Sequence, residues 1–200
     1  MRDMSEPRLD PAVAPFVVDA ARASAAVANY CDHAEHNEAT RRQWVTDAAL
    51  QLRQLSLKVA AFERVDLVAM YADRLRSIEG KSPLSHSDSF DGGERVASAR
   101  TWRDLQLAQI EHDRVYHPDV CGLSKGDQLR HYALHLSKIT GALAGCAVGE
   151  VDATEIRCRR LPDMLLFGLK LSTVMGERLA EEPFPQTESV AAEMIPLVVR

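Results

Sequence analysis

The sequence predicts an all-α protein, a bundle of five or six helices, on three observations. Apolar residues recur at helical spacing along most of the chain. No Gly or Pro interrupts residues 38–79, and only the short run IPLVV at 195–199 has strand character.

Taken in order, residues 1–14 hold Pro7, Pro11 and mixed charges without periodicity, a lead-in with little to pack. Pro15 suits a first helical position, where the N–H it lacks has no partner, and the Ala-rich run behind it predicts a helix over 15–31. Val45, Ala48, Leu52, Leu55, Val59 and Phe62 then keep a 3,4,3,4,3 spacing, which Val65, Ala69, Ala72 and Leu75 continue. Residues 38–79 are therefore one amphipathic helix of about 60 Å, at ~1.5 Å per residue, or two helices broken near Asp66. So long an apolar seam points to a homodimer. Trp44 and Trp102 read as core anchors.

Gly80, Pro83, Gly92, Gly93 and several serines mark 81–100 as a flexible loop, a boundary between a helical segment at 1–80 and a second bundle at 101–180. In that bundle a helix over 101–117 runs up to Pro118. A second spans 124–147, opened by Ser124 with Asp127 in the capping-box position and stopped by Gly149. The last covers about 154–178, with Pro162 either kinking it or marking the first turn of a shorter helix. Residues 181–200 form a Pro-containing tail.

Composition narrows the function classes. The chain has 200 residues, 46% hydrophobic and 26% charged, as soluble domains do, and its longest clean apolar runs, such as MLLFGL at 164–169, fall far short of the ~18 residues of a membrane span. The first fifteen residues contain no apolar core of a secretory signal, so a cytoplasmic protein without membrane contact is expected. Four scattered cysteines without a Cys-x-x-Cys read as reduced thiols. A net charge of -5 argues against a general affinity for nucleic acid.

Two polar stripes carry the chemistry. On helix 124–147, Leu129, Tyr132, Leu136, Ile139 and Leu143 form the core seam, while His131, His135, Lys138 and Ala142 fall in a narrow sector about a quarter-turn away. Imidazoles at i and i+4 can share one metal ion, completed by acids or histidines from elsewhere such as His112, Asp113, His117 or Asp163. On the last helix, Arg159, Asp163, Lys170 and Glu177 lie within an arc of about 40° if Pro162 keeps the register. A carboxylate and an ammonium on so apolar a helix need partners, and an Arg159–Asp163 pair at i, i+4 is the simplest.

RLPDMLLFGLKLSTVMGERL, residues 160–179, resembles the second signature helix of the MazG-like all-α nucleoside triphosphate pyrophosphohydrolases. HLSKITGALA at 135–144 is similar to the helix that carries their Glu-Glu-x-x-Glu cluster. The resemblance implies four acidic magnesium ligands. Carried over, these positions are Ile139, Ala142, Arg160 and Asp163, of which only Asp163 is an acid. With Lys138, Arg159 and Arg160 close by, the resemblance implies a scaffold that meets an anion directly rather than through Mg²⁺. A zinc, manganese or iron ion on His131, His135 and Asp163 is the metal alternative.

Arg130 and His135 resemble the Arg-x(4–6)-His signature of HEPN-type ribonucleases, in which the His would act as acid/base and the Arg would steady a phosphate. The dipeptide His112-Asp113 resembles that of the HD phosphohydrolases, although the chain lacks their apolar run before the pair and the upstream His86 lies in a Ser-rich loop. Cys31, His33 and His36 bring metal-ligand types close together at the end of the first helix without a fourth ligand, and read as structural. The expected function is binding or processing of a phosphorylated small molecule, a nucleotide by preference, between helices 124–147 and 154–178. Arg130, His131, His135 and Lys138 would face Arg159, Arg160, Asp163 and Lys170. Any enzymatic activity would be hydrolysis of a phosphoanhydride or phosphodiester dependent on His135 with His131 or Lys138. The opposing expectation is a non-catalytic helical interaction module.

Overall fold

The computed structural model describes residues 12–32, 38–81 and 90–185, and it is all-α. The helices are α1 (Ala14–Asp32), α2 (Glu38–Glu63), α3 (Leu67–Glu79), α4 (Gly92–Ser98), α5 (Trp102–Tyr116), α6 (Pro118–Cys121), α7 (Lys125–Ala147), α8 (Ala153–Glu155) and α9 (Leu161–Val174). Ile156–Arg160 form a π-turn between α8 and α9. Among the described residues the only β contact is an isolated bridge between Thr101 and Pro183, and no helix is long and apolar enough to cross a membrane.

Residues 38–79 are two helices. Arg64 adopts φ 55°, a left-handed conformation that ends α2, and the Asp66 carboxylate accepts from the Val68 and Ala69 N–H groups to start α3. The apolar seam of α2 is consumed inside the chain, against α1 and α9. Phe62 is 43% exposed rather than part of that seam, because a 3,4 repeat drifts by about 20° per heptad on a straight helix and has turned outward by its sixth member. Trp44 is likewise 42% exposed, not a core anchor, whereas Trp102 packs on the core in a T-shaped contact with Phe184.

Part of the stretch expected to be loop is helix. Asp91 caps α4 through the Glu94 N–H, and α4 packs on α3 and α5; residues 82–89 lie outside the described residues. Its glycines serve close packing. A Cβ on Gly93 would lie 2.6 Å from the Arg76 side chain, and one on Gly92 2.7 Å from Glu79 Oε1.

The second half follows its caps. Thr101 and Asp104 form a capping box on α5, Ser124 caps α7 through the Asp127 N–H, and α7 ends just before Gly149 at φ 77°. The expected helix 154–178 is divided, with Pro162 in the first turn of α9. The π-turn takes up the backbone ahead of that proline, whose ring and missing N–H a regular interior turn would not accommodate. α9 is the hub: every residue from Leu161 to Ser172 is buried, and the helix packs against α2, α3, α5 and α7. Residues of both halves of the chain share one hydrophobic cluster.

Candidate functional site

Buried polar groups converge where α5 and α9 meet. Lys170 places its ammonium 2.8 Å from Asp113 Oδ1, and Gln109 Nε2 donates to the same oxygen at 2.8 Å. Tyr71 of α3 donates its hydroxyl to Gln109 Oε1, so a chain of polar contacts runs from α3 through α5 to α9. Burial pushes the Asp113 carboxyl up, but the His112 imidazole and the Lys170 ammonium outweigh it and hold the group below the usual carboxylate range. Lys170 also lies 5.8 Å from the Tyr132 and Phe167 ring centroids, within cation–π reach of both.

His112 and Asp113 occupy the last turn of α5, and His117 bridges α5 and α6. The His117 N–H donates to the Asp113 carbonyl at 2.9 Å, which closes the last turn of α5. One donor atom from each of His112, Asp113 and His117 lies within 4.8 Å of the others, and among the described residues this is the only such group of three metal-ligand side chains. Burial, reinforced by Lys170, lowers the His117 pKa.

Beside this cluster a cleft of about 370 Å³ opens between α5, α6, α7 and α9. Asp113, Lys170, Gln109 and Tyr132 form part of its wall, joined by Arg114, Lys125 and Gln128. Its charged lining is three cations, Arg114, Lys125 and Lys170, against the single acid Asp113. A larger groove of about 780 Å³ lies elsewhere, at the α2–α3 junction; it is mostly apolar and contains none of the titratable cluster.

Of the residues expected at a site, Lys170 and Asp113 line this cleft. His131 and His135 do adjoin one turn apart, their rings tilted with centroids 4.8 Å apart, and His135 stacks on Phe167 at 4.9 Å. Burial, then His131 and Lys138, bring His135 down to about 4, and burial and Lys170 lower His131 as well. Both are neutral at neutral pH, and so low a pKa makes His135 a weak base. Asp163 does not converge with them as a metal ligand. Its carboxylate accepts from Arg74 Nε at 2.7 Å, and burial raises its pKa despite that guanidinium.

The remaining cations are engaged elsewhere. Arg159 and Arg160 both reach Glu155, at 3.6 and 2.9 Å, so the expected Arg159–Asp163 pair is replaced by Arg74–Asp163. Arg130 is 61% exposed on its side chain and bonded to Asp127 at 2.9 Å. Five residues of helix set it about 140° from His135, so the two do not face one ligand. Lys138 is exposed, and Ile139 is core. Of the cysteine–histidine group, Cys31 packs partly buried against the core, while His33, His36 and the loop His86 lie outside the described residues.

The sequence reading missed Tyr71, Arg74, Glu79, Gln109, Arg114 and Lys125. Gln106, Gln109 and Asp113 on the inner face of α5 were a detectable signal, since three large polar residues repeating at i, i+3 and i+7 among buried positions require partners. Comparison with protein-family models, with curated proteins and with solved structures finds no match to this chain.

Proposed function

We propose that the cleft between α5, α6, α7 and α9 binds a phosphorylated small molecule of about mononucleotide size. The observation that carries this reading is the charge of the lining: Arg114, Lys125 and Lys170 surround a volume of about 370 Å³ with only Asp113 opposing them, in a chain whose net charge is -5. Cations concentrated against the overall sign of the protein select an anion locally. Arg114 supplies a planar fork for phosphate oxygens, and Lys125 and Lys170 supply compact point charges. Tyr132 and Gln128 offer a ring face and an amide for the remainder of the ligand. The implied nucleotide class agrees with the MazG-like resemblance, but the residues assigned to it differ.

Thermal-shift titration with nucleoside mono-, di- and triphosphates and with the parent nucleosides tests the proposal, because a ligand of the native state stabilises it by about 2.7 kcal/mol at a hundredfold excess over Kd. A phosphorylated member is expected to raise Tm and its nucleoside not to. The shift should fall in Lys125→Glu and Arg114→Glu, which alter exposed or rim charge. No shift with any phosphorylated compound would favour a helical interaction module instead.

A further inference from the structure

We infer that His112, Asp113 and His117 form a binding site for a zinc-class transition-metal dication, with Glu79 as the carboxylate that orients His112. His112 is wholly buried, and neither ring nitrogen has a hydrogen-bond partner. Its Nδ1 points to Asp113 Oδ1 at 3.9 Å and its Nε2 to Glu79 Oε1 at 3.8 Å, both too long for hydrogen bonds. A buried imidazole with both nitrogens unsatisfied is costly, and a metal on one side with a carboxylate on the other removes that cost.

The spacing suits a dication. Metal–nitrogen bonds of ~2.0–2.1 Å place tetrahedral donors ~3.3 Å apart, and the three donor atoms here lie within 4.8 Å of one another, so side-chain rotations of about an ångström close the set. Two imidazoles and one carboxylate favour zinc-class ions over magnesium, which prefers oxygen, and three protein ligands leave a coordination position open. Gln109 and Lys170 both bind Asp113 Oδ1, which holds the carboxylate in place beside His112.

The surroundings hold the ligands in place. Glu79 Oε1 accepts the Gly92 N–H at 3.0 Å, and the His112 ring lies tilted against Tyr116 with centroids 4.7 Å apart. Those contacts fix the carboxylate and the ring plane before an ion arrives. Asp113 also borders the anion cleft, which places the metal at its wall. The site does not depend on the cleft binding a phosphate, and it is tested with metal alone.

The test is titration of untagged, EDTA-stripped full-length protein with Co²⁺, followed by its visible absorption, then competition with Zn²⁺. Cobalt bands that Zn²⁺ displaces are expected. Affinity should fall at least ~10-fold in Asp113→Asn and His117→Ala, and ~10- to 100-fold in Glu79→Gln. His131→Ala and His135→Ala should leave it unchanged. Circular dichroism and Tm of each variant separate lost ligands from lost fold, and His117→Gln replaces His117→Ala if the latter unfolds. Absence of the bands, their persistence at full affinity in the folded His117 variant, or their loss in His131→Ala overturns the inference.

Discussion

Lys170 on α9 and Asp113 on α5 hold their charges 2.8 Å apart although each residue is only 7% exposed. Both ions have left water, so their mutual attraction and the Gln109 bond must offset a large desolvation cost. The pair ties the hub helix to the helix that bears His112 and His117.

Removing only the cation strands the carboxylate. Lys170→Met is expected to cost about 3–5 kcal/mol in urea unfolding, and Asp113→Leu combined with Lys170→Met to recover at least half of that loss. A double variant no more stable than Lys170→Met would show that the cost is one of packing rather than of unpaired charge.

Arg74 does the same for Asp163, 2.7 Å away, but here the carboxyl is raised above its ordinary value by burial even with the guanidinium in place. The native state therefore binds more protons than the unfolded chain between ~3.9 and that raised pKa, and this group's contribution to stability declines as pH rises through the window. Arg74→Met moves the folded pKa further up. The variant should lose about 3–5 kcal/mol at pH 8 and regain part of it as the pH is lowered to 5 and Asp163 takes up a proton. Equal losses of Tm at both pH values would refute this.

What was legible in the sequence divides along the range of the interactions. Caps and periodicity are local, so the start of α7 at Ser124 and the burial of Asp163 and Lys170 could be read directly, while the break near Asp66 was one of two alternatives that the unbroken periodicity left open. The partners of those two charges come from other helices, and Arg74 is 89 residues from Asp163, a distance over which no spacing rule operates. Arg159 was misassigned because the π-turn changes the register on which the Arg159–Asp163 pairing depended. Gly92 and Gly93 were read as loop residues when they serve packing against Glu79 and Arg76, since composition does not distinguish a glycine that bends the chain from one that makes room.

Gly168 makes room at the α2–α9 crossing. A Cβ there would lie 2.9 Å from Arg53 Cγ and within 3.2–3.3 Å of the backbone at Ala49 and Arg53, so a methyl group has to separate the helices. Gly168→Ala is expected to destabilise by about 1–3 kcal/mol despite the higher helix propensity of alanine. Unchanged or increased stability in thermal unfolding would mean that α2 yields at no cost.

His135 provides a pH signature of the α7–α9 contact. Its folded pKa is about 4, depressed by burial and then by His131 and Lys138, against ~6.5 in the unfolded chain. Between these values the unfolded chain binds more protons, so the stability this neutral ring supports is fully present above pH ~6.5. It is lost progressively as pH falls toward 4. The unscreened shift would be worth about 3 kcal/mol, but the ring is only half-buried, and solvent screening reduces the expected loss to about 1–2 kcal/mol. His135→Phe keeps an aromatic ring on Phe167 while removing the titrating group, so its stability should fall less between pH 7 and 4.5 than that of the parent. The comparison of slopes matters more than either absolute Tm, because Asp163 and the other carboxylates titrate in both proteins. Parallel pH profiles would mean that α7 and α9 separate enough to hydrate His135, leaving Phe167 and Tyr132, whose ring centroids are 5.7 Å apart, to carry that contact.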